Sequence, residues 1–171
     1  MGDEGATPRE LLLEACRRNN TELLTEIISS ITDTEKMALL LNDAKDGVGN
    51  HALHVAATYG SYLLLDQEGL EVDPIDRLEG DTPLHKAVRF INSQDTEHWE
   101  GTKALVELLV DAGADPRVRN RAHLTPRDLV DPRNTELRKF LQHAEYAMVI
   151  GDDVVNYDED DGPAGSASDS E

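Results

Sequence analysis

Apolar residues recur along residues 9–147 in a short-helix rhythm. Leu23-Leu24-x-x-Ile27-Ile28 places them at i, i+1, i+4 and i+5, and Leu105-Val106-x-Leu108-Leu109 does nearly the same, which is one apolar face of a short helix. Leu137, Phe140 and Leu141 form a third such face, with Arg138 and Lys139 turned outward. Between these stripes lie shorter segments with small residues at their centre, Ala15-Cys16, Ala56-Ala57 and Ala87, where another helix can come close. Helix starts are legible at Thr82-Pro83 and Thr125-Pro126: the hydroxyl accepts a bond from an orphan helix amide, and proline suits the first helical position. Gly113 is a stop signal after the Leu105 stripe. The pattern predicts an all-α chain of paired short helices.

The nine residues Gly80-Asp-Thr-Pro-Leu-His-Lys-Ala-Val88 join a turn, a cap and a close-packing site. They recur as Gly49-Asn-His-Ala-Leu-His54-Val-Ala-Ala57, with His51 and Ala52 in place of Thr and Pro. In this the chain resembles an ankyrin-repeat protein. The resemblance implies a solenoid of about four helix-turn-helix repeats with protruding turns, over residues 9–31, 46–73, 77–115 and 119–147. A flexible N-terminus (1–8) and a disordered acidic tail (150–171) would flank it. Ser29 to Lys45 exceeds the family spacing, and Met37 to Leu41 inside it predicts an extra helical turn capped by Thr32 or Thr34. His54 to His85 is 31 residues, short of the family's period of about 33. Tyr62-Leu63-Leu64-Leu65 must then serve as a truncated second helix, the least protected segment of the stack. Phe90 to Glu100 is an insertion. His123 and Asp128 stand where the motif has glycine and histidine, and the last helix should end near Met148, before Gly151.

Composition narrows the class. The net charge is −19 and aromatics are 4% of residues, so small and aliphatic side chains must do the packing. Cys16 is the only cysteine, which rules out an intrachain disulfide. No apolar run approaches a membrane span and the first residues lack a signal peptide's pattern, so the expected location is cytoplasmic or nuclear. Residues 152–171 hold eight acids and no base, whereas residues 117–151 hold seven bases and four acids. So acidic a chain disfavours direct nucleic-acid binding and favours a basic protein partner; solubility alone is the competing reading.

No nucleophile elbow, phosphate loop or dinucleotide fingerprint is present, so no enzyme, catalytic residue or cofactor is expected. His51 and His54 are three apart, but no third ligand follows at a zinc spacing, and no metal is expected. The family resemblance assigns structural roles to Gly49, His54, Gly80, Thr82, Pro83, His85, Gly113, Thr125 and Pro126, with the two histidines holding the turns by hydrogen bonds. It places a protein-binding face on Val55, Thr58, Tyr59, Lys86, Arg89 and Phe90, and on the turn tips Val48, Asn50, Leu78, Glu79, Asp81, Arg121 and Leu124. Trp99 is either an anchor for a partner or a cover for the following helix. Arg117, Arg119 and Arg121 alternate, forming either a solvated row or a docking site for the acidic tail. Ser168 and Ser170 lie among acids, as kinase targets do. The expected function is a monomeric, non-catalytic adaptor. A chaperone of a basic protein, similar to small fungal ankyrin-repeat chaperones of ribosomal proteins, and a fixed subunit of an assembly are the alternatives.

Overall fold

The computed structural model describes residues 5–167, with side chains through Asp152. Its helices are α1 (Pro8–Arg18), α2 (Thr21–Ser30), α3 (Thr34–Asp43), α4 (Ala52–Thr58), α5 (Pro83–Asn92), α6 (Trp99–Asp111), α7 (Pro126–Leu129) and α8 (Thr135–Ala167). A single 3-10 turn, Thr96–His98, leads into α6. Helices α1, α4, α5 and α7 lie side by side as an inner layer, and α2, α6 and α8 back onto α1, α5 and α7. Small buried residues line the inner layer: Ala15 and Cys16, Ala56 and Ala57, then Ala87 and Val88. Leu12, Leu84, Ile91, Leu109, Leu137 and Leu141 fill the space between the layers. The buried Cys16 thiol is pushed up to about 12 by desolvation, so it is packing rather than a nucleophile.

Three hairpins project from the starts of α4, α5 and α7, and one backbone bond closes each. Asp46 N–H donates to Asn50 O, Asp76 N–H to Asp81 O, and Asn120 N–H to Leu124 O, all at 2.9 Å. Gly49 (φ 95°) and Gly80 (φ 68°) take the left-handed conformation at the turn, and His123 takes it at φ 64° in the fourth repeat. Thr82 and Thr125 cap α5 and α7 as expected, each in a reciprocal capping box with the residue three further on. Gly113 follows α6 at φ 107°.

Several boundaries differ from the sequence reading. Helix α1 begins at Pro8 with Thr7 as its cap, boxed by Glu10, so order starts before residue 9. Helix α3 is a full ten residues, capped by Asp33 rather than Thr32 or Thr34: the carboxylate accepts from the N–H groups of Glu35 and Lys36 at 2.9 and 3.2 Å. Tyr62 to Leu65 forms turns and no helix. So short a run, between Gly60 and Gly69 at positive φ, cannot recover the cost of nucleation. Helix α3 compensates by packing on α1 and α4 with Met37 and Leu41 buried, which supplies the outer helix that repeat two lacks. Asn42 at its end donates to Gly69 O (2.7 Å) and accepts from Glu71 N–H (2.8 Å), tying the helixless loop to α3. Asn92 clamps Leu129 O and Asp131 N–H in the same way at the end of α5.

The last helix does not stop near Met148. Gly151 is not among the glycines at positive φ, so no left-handed cap ends α8 there, and helical backbone continues to Ala167 where a disordered tail was expected. Ser168 and Ser170 lie outside the described residues.

Two outcomes test this packing. Amide exchange at Tyr62 to Gly69 will be faster than in α4 or α5, and protection there equal to α5 contradicts the turn structure. His123→Gly, which removes a left-handed non-glycine residue, will raise unfolding stability by about 0.5–1 kcal/mol in urea titration.

Candidate protein-binding face

Each hairpin tip is organised by a side chain bonding its own turn. Asp46 accepts from Val48 and Asn50 N–H (3.0 and 2.9 Å), Asp76 from Glu79 and Gly80 N–H (2.7 and 3.0 Å), and Asn120 from Ala122 and Leu124 N–H (both 3.0 Å). The turn polarity is thus satisfied from inside, and side chains between these anchors are free to vary. Adjacent tips touch: a Cβ on Gly49 would lie 2.6 Å from Arg77 Cβ, and one on Gly80 would lie 2.9 Å from Arg121 Cγ. Arg121 also bonds back to Leu78 O through its guanidinium (3.2 Å) and to Glu79 O through its N–H (2.9 Å).

The motif histidines join one repeat to the next. His54 Nδ1 accepts the N–H of His51 (3.1 Å), which leaves Nε2 to donate to Asp81 O in the following hairpin (2.7 Å). His85 repeats this, accepting from Thr82 N–H (3.1 Å) and reaching Leu124 O in the third hairpin (2.8 Å). Both rings are fully buried. Desolvation lowers both pKa values, that of His54 to about 4. In the last repeat Asp128 accepts from Thr125 N–H (2.9 Å). A carboxylate completes that cap, and there is no further hairpin for a donor to reach.

Beneath the second tip lies an ion-pair cluster. Asp81 is wholly buried and receives Arg89 Nε and Asn120 Nδ2, both at 2.9 Å, with Lys86 Nζ at 3.5 Å. Lys86 Nζ lies 3.0 Å from buried Asp76, and Glu79 meets the far side of Arg89 at 2.8 Å. Burial raises the pKa of Asp81, but the bonds from Arg89 and Asn120 outweigh it and leave the carboxyl below its usual range. Asp76 follows the same balance, with Glu79 N–H and Lys86 as the lowering partners.

These contacts sort the expected binding residues. Val48 (50% exposed), Leu78 (63%) and Tyr59 (54%) stand free; Thr58 is exposed, but its hydroxyl donates to His54 O (2.8 Å). Val55 and Asp81 do not: the first packs in the core and the second is the hub of the ion cluster, so neither offers a side chain to a partner. Lys86, Arg89 and Glu79 are engaged within the cluster, the two cations being held by Asp76, Asp81 and Glu79. Asn50 is bound to Asp46 (3.0 Å), and the Phe90 ring rests on Gly60, where a Cβ would lie 2.4 Å from it. Leu124 is half-buried. Trp99 starts α6, bonds Gln94 O (3.2 Å) and lies under the Arg133 guanidinium at 5.5 Å, so it is packed between outer helices and not grouped with the tips. The three arginines form no common row: Arg117 pairs with Asp115 and Asp152, Arg119 with His123 O, and Arg121 with Leu78 O.

Ile75 and Tyr62, exposed at 57% and 55%, join the free apolar residues and were not foreseen. Ile75 precedes the turn glycine by one residue more than the motif expects, because the second hairpin spans six residues, Asp76 to Asp81, where the others span five. A cleft of about 420 Å³ opens between the first two tips, lined by Lys45, Asp46, His51, Ile75 and Arg77 among others. Among the described residues no group of three or more His, Cys, Asp or Glu is placed to hold a metal, and no helix is long and apolar enough to cross a membrane.

A family model described as ankyrin repeats, in three copies, matches residues 12–120. The match ends just before His123 and Asp128 depart from the motif. Ankyrin repeat-containing protein YGL242C of Saccharomyces cerevisiae is 44% identical over 155 residues, spanning 86% of this chain and 83% of that protein. The chain belongs to the ankyrin-repeat family, whose fold generally serves protein–protein interaction.

The buried histidines give stability a definite pH dependence. His54 is neutral when folded down to about pH 4 but takes a proton near 6.5 when unfolded, so stability is full above 6.5 and falls as pH drops from 6.5 to about 4. The full loss is about 3 kcal/mol at 1.36 kcal/mol per pKa unit. Urea unfolding will show this slope in the wild type. His54→Leu will be less stable at pH 7 and show a shallower slope; equal slopes in both proteins would contradict the assignment.

Proposed function

We propose that this protein is a non-catalytic binding module that seats a basic protein segment on its hairpin tips and concave inner face. The observation that carries the reading is the set of exposed apolar side chains, Val48, Tyr59, Ile75 and Leu78, on elements whose own polar groups are already satisfied. Such residues have no part in folding, and clustered apolar and aromatic side chains are what a protein interface uses for anchors. The charge of −19 supports a basic partner, because it raises the encounter rate with cations and is screened by salt. Escort of a newly made basic protein is the narrower form of the same activity. The lone buried Cys16 accords with action in the cytoplasm or nucleus.

A photo-crosslinking residue placed at Leu78 or Tyr59 will capture the partner, and one placed at Leu39 or Leu108 on the outer helices will not. Raising salt from about 50 mM to about 300 mM will reduce the yield at the tips. Capture only from the outer helices would overturn the proposal.

A further inference from the structure

The stack ends on an apolar surface. A terminal repeat ordinarily turns a polar side to water, because nothing stacks on it. Here Tyr146, Val149 and Ile150 are exposed, Tyr146 at 65%. They fall at i, i+3 and i+4 and so form one continuous stripe on α8. Beside the stripe a cleft of about 350 Å³ runs between α8 and the arm of the fourth repeat, lined by Arg117, Arg127, Gln142, Glu145, Tyr146 and Val149. Both of its cations are engaged: Arg127 with Glu145 at 3.1 Å, and Arg117 with Asp115 and Asp152 at 2.9 Å. The cleft therefore presents apolar surface without a free positive charge to repel a cationic ligand.

The acidic segment C-terminal to the stripe selects its occupant. Residues 152–171 contain eight acids and no base, and they continue directly from Ile150-Gly151. A second copy of the chain is disfavoured there, since pairing two stripes would bring two such acidic segments into one interface. We propose that the stripe is a second docking surface, distinct from the hairpin tips, for a lysine- and arginine-rich amphipathic segment of a partner protein. An apolar side chain of that segment seats against Tyr146, Val149 and Ile150, while its cations are drawn by the net negative charge of the sequence that follows and compete with Arg117 for Asp152. The inference goes beyond the concave-face reading and does not need it.

A synthetic amphipathic helix of lysine and leucine, fluorescently labelled, is the probe, titrated against the full chain and followed by anisotropy. The V149S/I150S variant, whose changes are at exposed positions, will bind about tenfold more weakly. A chain ending at Gly151 will also bind more weakly and lose most of its salt dependence, while Leu39→Ser, at an exposed position of α3 outside both surfaces, will bind as the wild type does. Unchanged affinity in V149S/I150S, or equal binding of a glutamate–leucine helix, overturns the proposal. So does a wild-type dimer in sedimentation that V149S/I150S abolishes, since the stripe would then belong to a second copy. The concave-face reading is tested separately by crosslinking at Leu78 and Tyr59, so failure of this surface and failure of that one give different patterns.

Discussion

The fold depends on a buried neutral imidazole whose two nitrogens face two different repeats. His54 and His85 each use Nδ1 to fix the start of their own helix and Nε2 to hold a carbonyl of the next hairpin. Helices of seven to ten residues, such as α4 and α5, are marginal alone, so their stability is mostly a matter of neighbours. A donor that crosses the repeat boundary couples hairpin position to helix position, and it is effective because the ring is dry. The ion cluster of Asp76, Asp81, Lys86 and Arg89 sits on the same boundary, and Asn120 Nδ2 extends it into the third hairpin.

That coupling explains how the chain tolerates irregular repeats. Repeat two lacks its outer helix, and the loop in its place is held by Asn42 of α3, a helix that comes from an insertion upstream. Gain before the repeat and loss within it therefore compensate in space although they are separated in sequence. The inner layer, with its histidines, needs no adjustment. The third repeat absorbs its insertion differently: α5 runs to Asn92, a 3-10 turn follows, and α6 begins early at Trp99, whose ring is covered from the fourth repeat by Arg133.

Much of the fold was legible in the residues because the motif states its own stereochemistry. Gly80, Thr82, Pro83 and His85 act where their types predict, and Ala56, Ala57 and Ala87 are the small close-packing positions. The helixless loop, the length of α3 and the continuation of α8 were not legible, because each depends on a neighbour or on a stop signal that does not act. The exposure of the residues proposed for binding was read in part. Val48, Tyr59 and Leu78 are free, but motif position alone cannot tell a free side chain from one recruited inward. Asp81 is the clear case: its register says turn tip, yet Arg89, Lys86 and Asn120 converge on it. Ile75 was missed because one extra residue in the second hairpin moves it outside the motif.

With Asp76 and Asp81 paired to Lys86 and Arg89, the exposed large side chains Val48, Tyr59, Ile75 and Leu78 are aromatic and aliphatic, and eight acids lie in residues 152–171. In the proposed function, specific contact and electrostatic attraction fall to different parts of one small molecule. All of it presupposes that the repeats are locked together by the imidazoles. The most direct measurement is the tautomeric state of His54 and His85 from nitrogen-15 NMR at pH 7: both rings should be neutral with the proton on Nε2 and a bare Nδ1, whereas a proton on Nδ1, or an imidazolium titrating near 6.5, would contradict it.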